Sequence, residues 1–291
     1  MLRTLLLTLI PLLWSPAAHA QKKANCTFTF FSPTTKFTTA NGRPVFFQPL
    51  GINDFGTIVG YSHPGPARGL IRWPNGSVSH VKGTGQLVAR NDHSTSVGLD
   101  LTGTAGEGVL VNGPTSSPSI TPIVLDVNNG GVNPSGINNS GTIVGQYATP
   151  DFSSSHGFKR FKNGTTHTLD FPGSLPAGTI PAGINDEGTV VGFYFGSDRL
   201  THGFIFHNGQ WATLDYPLAS ATFLVGITNA GKIIGDAIGN GFNHAFLYEN
   251  GAFKIISLRG PKGLLSISPK RGLILGITGG AGTPVFIAKC Q

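Results

Sequence analysis

One phrase recurs along this chain at nearly constant spacing, and that recurrence restricts the fold more than any other feature. Gly51-Ile52-Asn53-Asp54-Phe55-Gly56-Thr57-Ile58-Val59-Gly60 returns as Gly136 to Gly145, as Gly183 to Gly192 and, with Thr228 in place of the Asn, as Gly226 to Gly235. Two degenerate copies run from Ala89 to Gly98 and from Ser266 to Gly276. A period of about 40 to 50 residues is the mark of a repeat architecture in which each unit buries its apolar face against its neighbours.

Each copy reads as a β-hairpin: a short strand, an Asn-Asp-x-Gly turn and a β-branched strand. An Asn or Asp opening a type I turn with Gly at the position of positive φ makes the common three-residue hairpin loop. A second hairpin follows a longer polar connection, with turns at Asn75-Gly76, Asn112-Gly113, Asn163-Gly164, Asn208-Gly209 and Asn250-Gly251. Asn-Gly between apolar runs is a strong hairpin signal. Each period therefore supplies four antiparallel strands, the content of one propeller blade. The stretch from Cys26 to Cys290 holds six such periods of about 44 residues. With 42 Gly, 20 Pro and 11% charged residues the chain is too rich in turns for a helical bundle. Its 39% hydrophobic content, with 20 Phe, is enough for a packed core. The expected fold is an all-β, six-bladed β-propeller of four-stranded antiparallel blades.

The last period ends at Cys290 before its second hairpin turns, so its fourth strand is missing. The segment Cys26-Thr27-Phe28-Thr29-Phe30-Phe31-Ser32-Pro33 matches the fourth strand Thr165 to Pro172. Aligned to a complete blade, Cys290 falls where Gly209 stands and Cys26 where Gln210 stands. The two ends are thus expected to share the last blade, with a Cys26–Cys290 disulfide replacing the missing turn, as an oxidising compartment permits.

Residues 1–20 read as a secretory signal peptide, with Arg3, the apolar run Leu5 to Trp14 and the small-x-small site Ala18-His19-Ala20. Residues 21–291 are then one propeller domain, periplasmic or extracellular, with no later segment apolar enough for a membrane span. The formal charge of +7 is dispersed rather than gathered in an aromatic-lined stripe, so no nucleic-acid partner is expected.

Three copies are followed by a His-x-Phe triplet: His156-Gly157-Phe158, His202-Gly203-Phe204 and His244-Ala245-Phe246. The pairing of Gly-Ile-Asn-Asp-x-Gly-x-Val-Val-Gly with this triplet resembles the bacterial HAF extracellular repeat family. The first, second and last copies depart from it, with Arg68, Glu107 and Thr283 at the His position. The resemblance implies secretion and repetition and carries no catalytic residues.

In a propeller the tight hairpin turns share one end, and the long connections emerge at the other. Loops on a rigid scaffold gather binding residues, so the long-loop end and the channel mouth form the default site. Arg68, Glu107, His156, His202 and His244 are its candidate ligand-binding residues. A structural role for the three histidines, as caps of the third strand, competes with that reading. Asn53, Asn91, Asn138 and Asn185 are expected to bond their own turns, and Asp170 and Asp215 to fix the exit loops. No hydrolase, metalloprotease or phosphate-loop motif is present, and no catalytic residue, metal or cofactor is assigned. The expected function is non-catalytic binding of an extracellular glycan or surface protein by a monomer. The alternative is a carbohydrate-active enzyme, hydrolase or lyase, using channel-mouth histidine or carboxylates from Asp100, Glu107, Asp151 and Asp198. A purely structural envelope protein is a third reading.

Overall fold

The computed structural model describes residues 22–38, 41–100, 107–257, 263–279 and 283–291. The leader at 1–20 and parts of the glycine-rich stretches 103–108 and 276–282 lie outside them. The described residues contain strands and turns but no helix, hence no helix able to cross a membrane.

The chain opens with β1 (Cys26–Phe31) and β2 (Thr34–Thr38). The first quartet follows as β3 (Pro44–Ile52), β4 (Ile58–His63), β5 (Gly69–Arg72) and β6 (Val78–His80). The second is β7 (Gln86–Arg90), β8 (Ser96–Asp100), β9 (Glu107–Asn112) and β10 (Ser119–Pro122). Next come β11 (Gly131–Ile137), β12 (Ile143–Ala148), β13 (Ser155–Arg160) and β14 (Thr166–Leu169). After them run β15 (Ser174–Ile184), β16 (Val190–Gly196), β17 (Thr201–His207) and β18 (Gln210–Thr213). The next quartet is β19 (Ala219–Ile227), β20 (Ile233–Gly239), β21 (Phe242–Glu249) and β22 (Ala252–Ile255). The chain ends in β23 (Gly263–Ile267), β24 (Leu273–Ile277) and β25 (Val285–Cys290).

Within every quartet the strands pair antiparallel in chain order. A single parallel bridge, Thr201 to Ala221, joins β17 to β19 and merges two quartets into one eight-stranded sheet. The innermost strands β3, β7, β11, β15, β19 and β23 each contact the next, and β23 contacts β3. The arrangement is a β-propeller whose inner strands surround the axis.

Closure uses both ends of the chain. β1 is the outer strand of the last sheet, in the order β1-β25-β24-β23, and Cys26 pairs with Cys290 across it. The two form a disulfide. Register places Cys290 where Asn208 stands in the complete quartet and Cys26 where Gly209 stands, one residue from the alignment expected from sequence. The disulfide therefore replaces the Asn-Gly turn itself. Ahead of β1 the chain clasps a further edge: Ala24 N–H donates to the Ile255 carbonyl and Ile255 N–H to that of Lys22. β2, which the repeat did not predict, pairs with the start of β3.

The repeat phrase encodes the core. Its β-branched residues Ile58, Val59, Ile143, Val144, Val190 and Val191 are fully buried, as are Phe158, Phe204 and Phe246 of the His-x-Phe triplets and the corresponding Phe286. Each such Phe contributes about 2 to 3 kcal/mol through burial. The glycine that closes the phrase is required by close approach: a Cβ on Gly60 or Gly192 would run into the carbonyl oxygens of Gln48 or Ile180 on the inner strand. The same crowding recurs at Gly98, Gly145 and Gly235, and in these five quartets a β-bulge lies two residues beyond the crowded carbonyl; β23 carries a bulge as well.

Candidate functional site

The two ends of the ring differ in chemistry. At the tight-turn end the repeated Asn has two jobs. Its side-chain oxygen accepts from its own turn, as Asn53 Oδ1 does from Phe55 N at 3.1 Å and Thr57 N at 3.0 Å. Its amide nitrogen reaches the next quartet. Asn53 Nδ2 donates to Asn91 O at 3.3 Å, Asn91 to Asn138 O at 3.1 Å, Asn138 to Asn185 O at 2.9 Å, and Asn185 to Thr228 O at 3.1 Å. The following residue repeats the pattern. The backbone N–H groups of Asp54, Asp92, Asn139 and Asp186 donate to the side-chain oxygens of Asp92, Asn139, Asp186 and Asn229. Asn229 N then donates to the Pro269 carbonyl, and Lys270 N and Arg271 N donate to Asp54. The result is a hydrogen-bonded belt that closes on itself.

Charge in the belt is spaced by amides. Asn139 Nδ2 lies between Asp92 and Asp186 at 3.0 and 3.1 Å. Partial burial raises the Asp186 carboxyl, but amide donors from Asn229 and Asn139 outweigh it and the pKa lies below the usual value. Asp92 goes the other way: burial raises its pKa beyond what its Asn139 and backbone bonds offset, and the neighbouring Asp54 carboxylate adds to the rise.

At the long-loop end the His positions form sets within each quartet. His156 Nδ1 bonds Asp170 Oδ2 at 2.8 Å, and His202 Nδ1 bonds Asp215 Oδ2 at 2.7 Å. The imidazoles lie against Tyr147 and Tyr194, whose hydroxyls bond Thr168 and Thr213 on the outer strand. His202 Nε2 also meets Asp198 at 3.1 Å. Burial lowers the His202 pKa, yet the bonds to Asp215 and Asp198 prevail and hold it above the ordinary histidine value. His244 stacks on Phe242 and meets Tyr216 edge-on. Arg68 is exposed, its backbone N–H held by Ser62 Oγ. Glu107 is exposed at the start of β9, opposite Asp100 in the ladder. Asp151 and Asp198 serve their own turns. Asp151 accepts from the Thr149 hydroxyl at 2.6 Å and from Ser153 N–H and Oγ, and these bonds lower its pKa to about 2. Asp198 accepts from Leu200 N. No group of three His, Cys, Asp or Glu able to hold a metal occurs among the described residues.

The same end carries features that sequence reading missed. Six of the ten large hydrophobic side chains exposed among the described residues lie here, on the quartets from β11 to β22: Phe152, Leu175, Phe195, Leu200, Leu218 and Ile238. Phe152 is 68% exposed with φ 56°, and Leu218 is 93% exposed with φ 63°. Bulky residues in the left-handed region are strained outliers, found where surrounding structure enforces them. The Thr149-Asp151-Ser153 hydrogen bonds enforce the first. The second follows buried Tyr216, whose N–H is held by Thr222 Oγ1 at 3.0 Å. Their φ angles leave no trace in a sequence read for turn-forming residues.

Between the two ends runs a central cavity of about 300 Å³ lined by all the innermost strands. None of Arg68, Glu107, His156, His202 or His244 lines it. The five candidates thus belong to the loop end and not to the cavity wall.

No protein-family model matches the chain, and no curated protein matches it. Solved structures do. TolB from Acinetobacter baumannii is 13% identical with a TM-score of 0.56, over 81% of this chain and 65% of that one. The β-propeller domain of the trilobed protease from Pyrococcus furiosus, described as having an open velcro topology, is 9% identical with a TM-score of 0.53, over 92% and 91% of the two chains. Virginiamycin B lyase from Staphylococcus aureus is 8% identical with a TM-score of 0.50, over 91% and 99%. At such identities the likeness shows the propeller fold and nothing finer.

Proposed function

We propose that this chain is an exported, monomeric, six-bladed propeller that binds a partner without catalysis, through its long-loop end on the third to fifth blades. In this reading the eight-stranded sheet counts as two blades touching at one bridge. Residues 21–291 form one domain, and the His-x-Phe copies make it a HAF-type repeat protein. The disulfide is compatible with a periplasmic or extracellular location.

The observation that carries the binding reading is the pair of strained, exposed apolar tips at Phe152 and Leu218. They belong to a set of six exposed apolar side chains at one end of a rigid scaffold, which fits an interaction surface. Arg68, Glu107, His156, His202 and His244 flank the same end, and the histidines act by holding the loops through their Asp and aromatic neighbours. Aliphatic and aromatic tips favour a protein surface over a glycan as the partner. The carbohydrate-enzyme alternative gains no support from Asp151, which is engaged in its own turn, or from Asp198, which is held by Leu200 N and His202.

Immobilised protein carrying Phe152→Asn and Leu218→Asn, compared with wild type, tests the reading. Asn accepts positive φ readily, so the fold is retained. Wild type is expected to capture a surface protein from an envelope extract and the double variant to lose it. Equal capture by both, or turnover of a polysaccharide panel by wild type, overturns the proposal.

A further inference from the structure

We propose that the central cavity is a second binding site, independent of the loop end, for a compact, uncharged, apolar small molecule. Every inner strand shifts register at one equivalent place, and the residues at those shifts are Leu50, Val88, Ser135, Ala182, Val225 and Leu265. A β-bulge re-aims a side chain, and all six of these residues line the cavity. The ring thus presents one residue per strand at a common level, as a girdle.

The girdle is apolar even where its sequence is not. Ser135 Oγ donates to the Pro181 carbonyl at 2.6 Å and to Val144 O at 3.2 Å, so its hydroxyl is spent on the wall. Ile180 and Phe193 extend the apolar lining, and Phe193 meets Phe223 edge-on at 4.9 Å. A volume of about 300 Å³ stands at the lower end of the range for small-molecule sites. A cavity with such walls does not hold ordered water well and takes up apolar guests instead.

The girdle is also uneven. Ser135 and Ala182 are small and adjacent in the ring, whereas Leu265 and Leu50 stand across from them. This leaves a recess beside β11 and β15 into which a ring or short branched chain fits. Toward the belt the lining also includes Asn53, Arg90, Asn91, Asp92 and Asn139. Arg90 is bonded to Ser96, and Asp92 accepts from Asp54 N and Asn139 Nδ2, so both charges are engaged within the ring and an uncharged guest is favoured.

The probe is N-phenyl-1-naphthylamine, a neutral dye whose emission rises in apolar surroundings. Wild type is expected to bind it saturably. Ala182→Phe fills the recess and, separately, Val225→Phe narrows the girdle next to it; both are expected to weaken binding at least about tenfold, with thermal melts confirming that each is folded. The Phe152→Asn, Leu218→Asn variant is expected to bind as wild type does. Absence of saturable binding by wild type, wild-type affinity in the folded filled variants, or loss of dye in the loop variant overturns the proposal. Crystals of wild type under xenon need no variant: density within the girdle supports the site and its absence overturns it.

Discussion

At the tight-turn end the repeated polar residues tie each quartet to the next, whereas at the long-loop end the histidine–aspartate pairs bond within their own quartet and apolar side chains are left in water. Asn138 shows the first condition, with its oxygen on its own turn and its nitrogen on the Asn185 carbonyl. Phe152 shows the second, strained and exposed on a loop whose hydrogen bonds are all local. Residues that recur once per period hold the ring together. Residues that differ from copy to copy, such as Phe152, Leu218, Ala182 and Ser135, shape the surfaces left free to bind.

The comparison can be broken by mutation. The largest effect is expected at the seam: Cys26→Ser with Cys290→Ser removes the closure of nearly the whole chain and should cost about 4 to 5 kcal/mol in denaturant melts. Asn138→Ala comes next. It strips one acceptor from a buried turn N–H and one donor from a buried carbonyl, for about 2 to 3 kcal/mol. His156→Ala at the other end loses a partly exposed pair and should cost under about 1 kcal/mol. Equal costs for these two would erase the distinction between the ends.

A pH series sharpens it further. The His202 pKa is raised above 6.5 in the folded protein, so its pairing with Asp215 and Asp198 stabilises fully below that value. The contribution is lost as pH rises through the folded pKa. The stability gap between wild type and His202→Asn is therefore expected to shrink from mildly acidic to mildly alkaline pH, and a gap that widens would refute the pairing. The smallest effect sits in a degenerate copy. Ser94 occupies the positive-φ place (66°) that Gly56, Gly141, Gly188, Gly231 and Gly272 fill in the other turns, and Ser94→Gly should raise stability by about 0.5 kcal/mol.

Much of the fold was legible because turn chemistry is local: Asn-Asp-x-Gly and Asn-Gly mark hairpins whatever surrounds them. The seam was legible from the two cysteines and the missing strand, though displaced by one residue, because aligning short alternating segments leaves register loose. The belt was only half legible. An Asn at a turn announces its own turn, but nothing in the spacing shows that its amide reaches the neighbouring carbonyl. The bulges were invisible, since one extra residue in an alternating strand resembles a slip in pattern. With them went the girdle. The histidines were legible as a set, and Asp170 and Asp215 as exit-loop residues, but not as partners of one another, because the pairing joins the third strand to the exit segment after the fourth.

The account rests on a ring sealed by β1 against β25, and backbone amide exchange of β1 in the oxidised protein tests this most directly. Protection of the Thr27 to Phe31 amides matching that of β18, the equivalent strand of a covalently continuous quartet, is the predicted result. Free exchange of β1 while β11 to β18 remain protected would mean that the ring is open, and would contradict it.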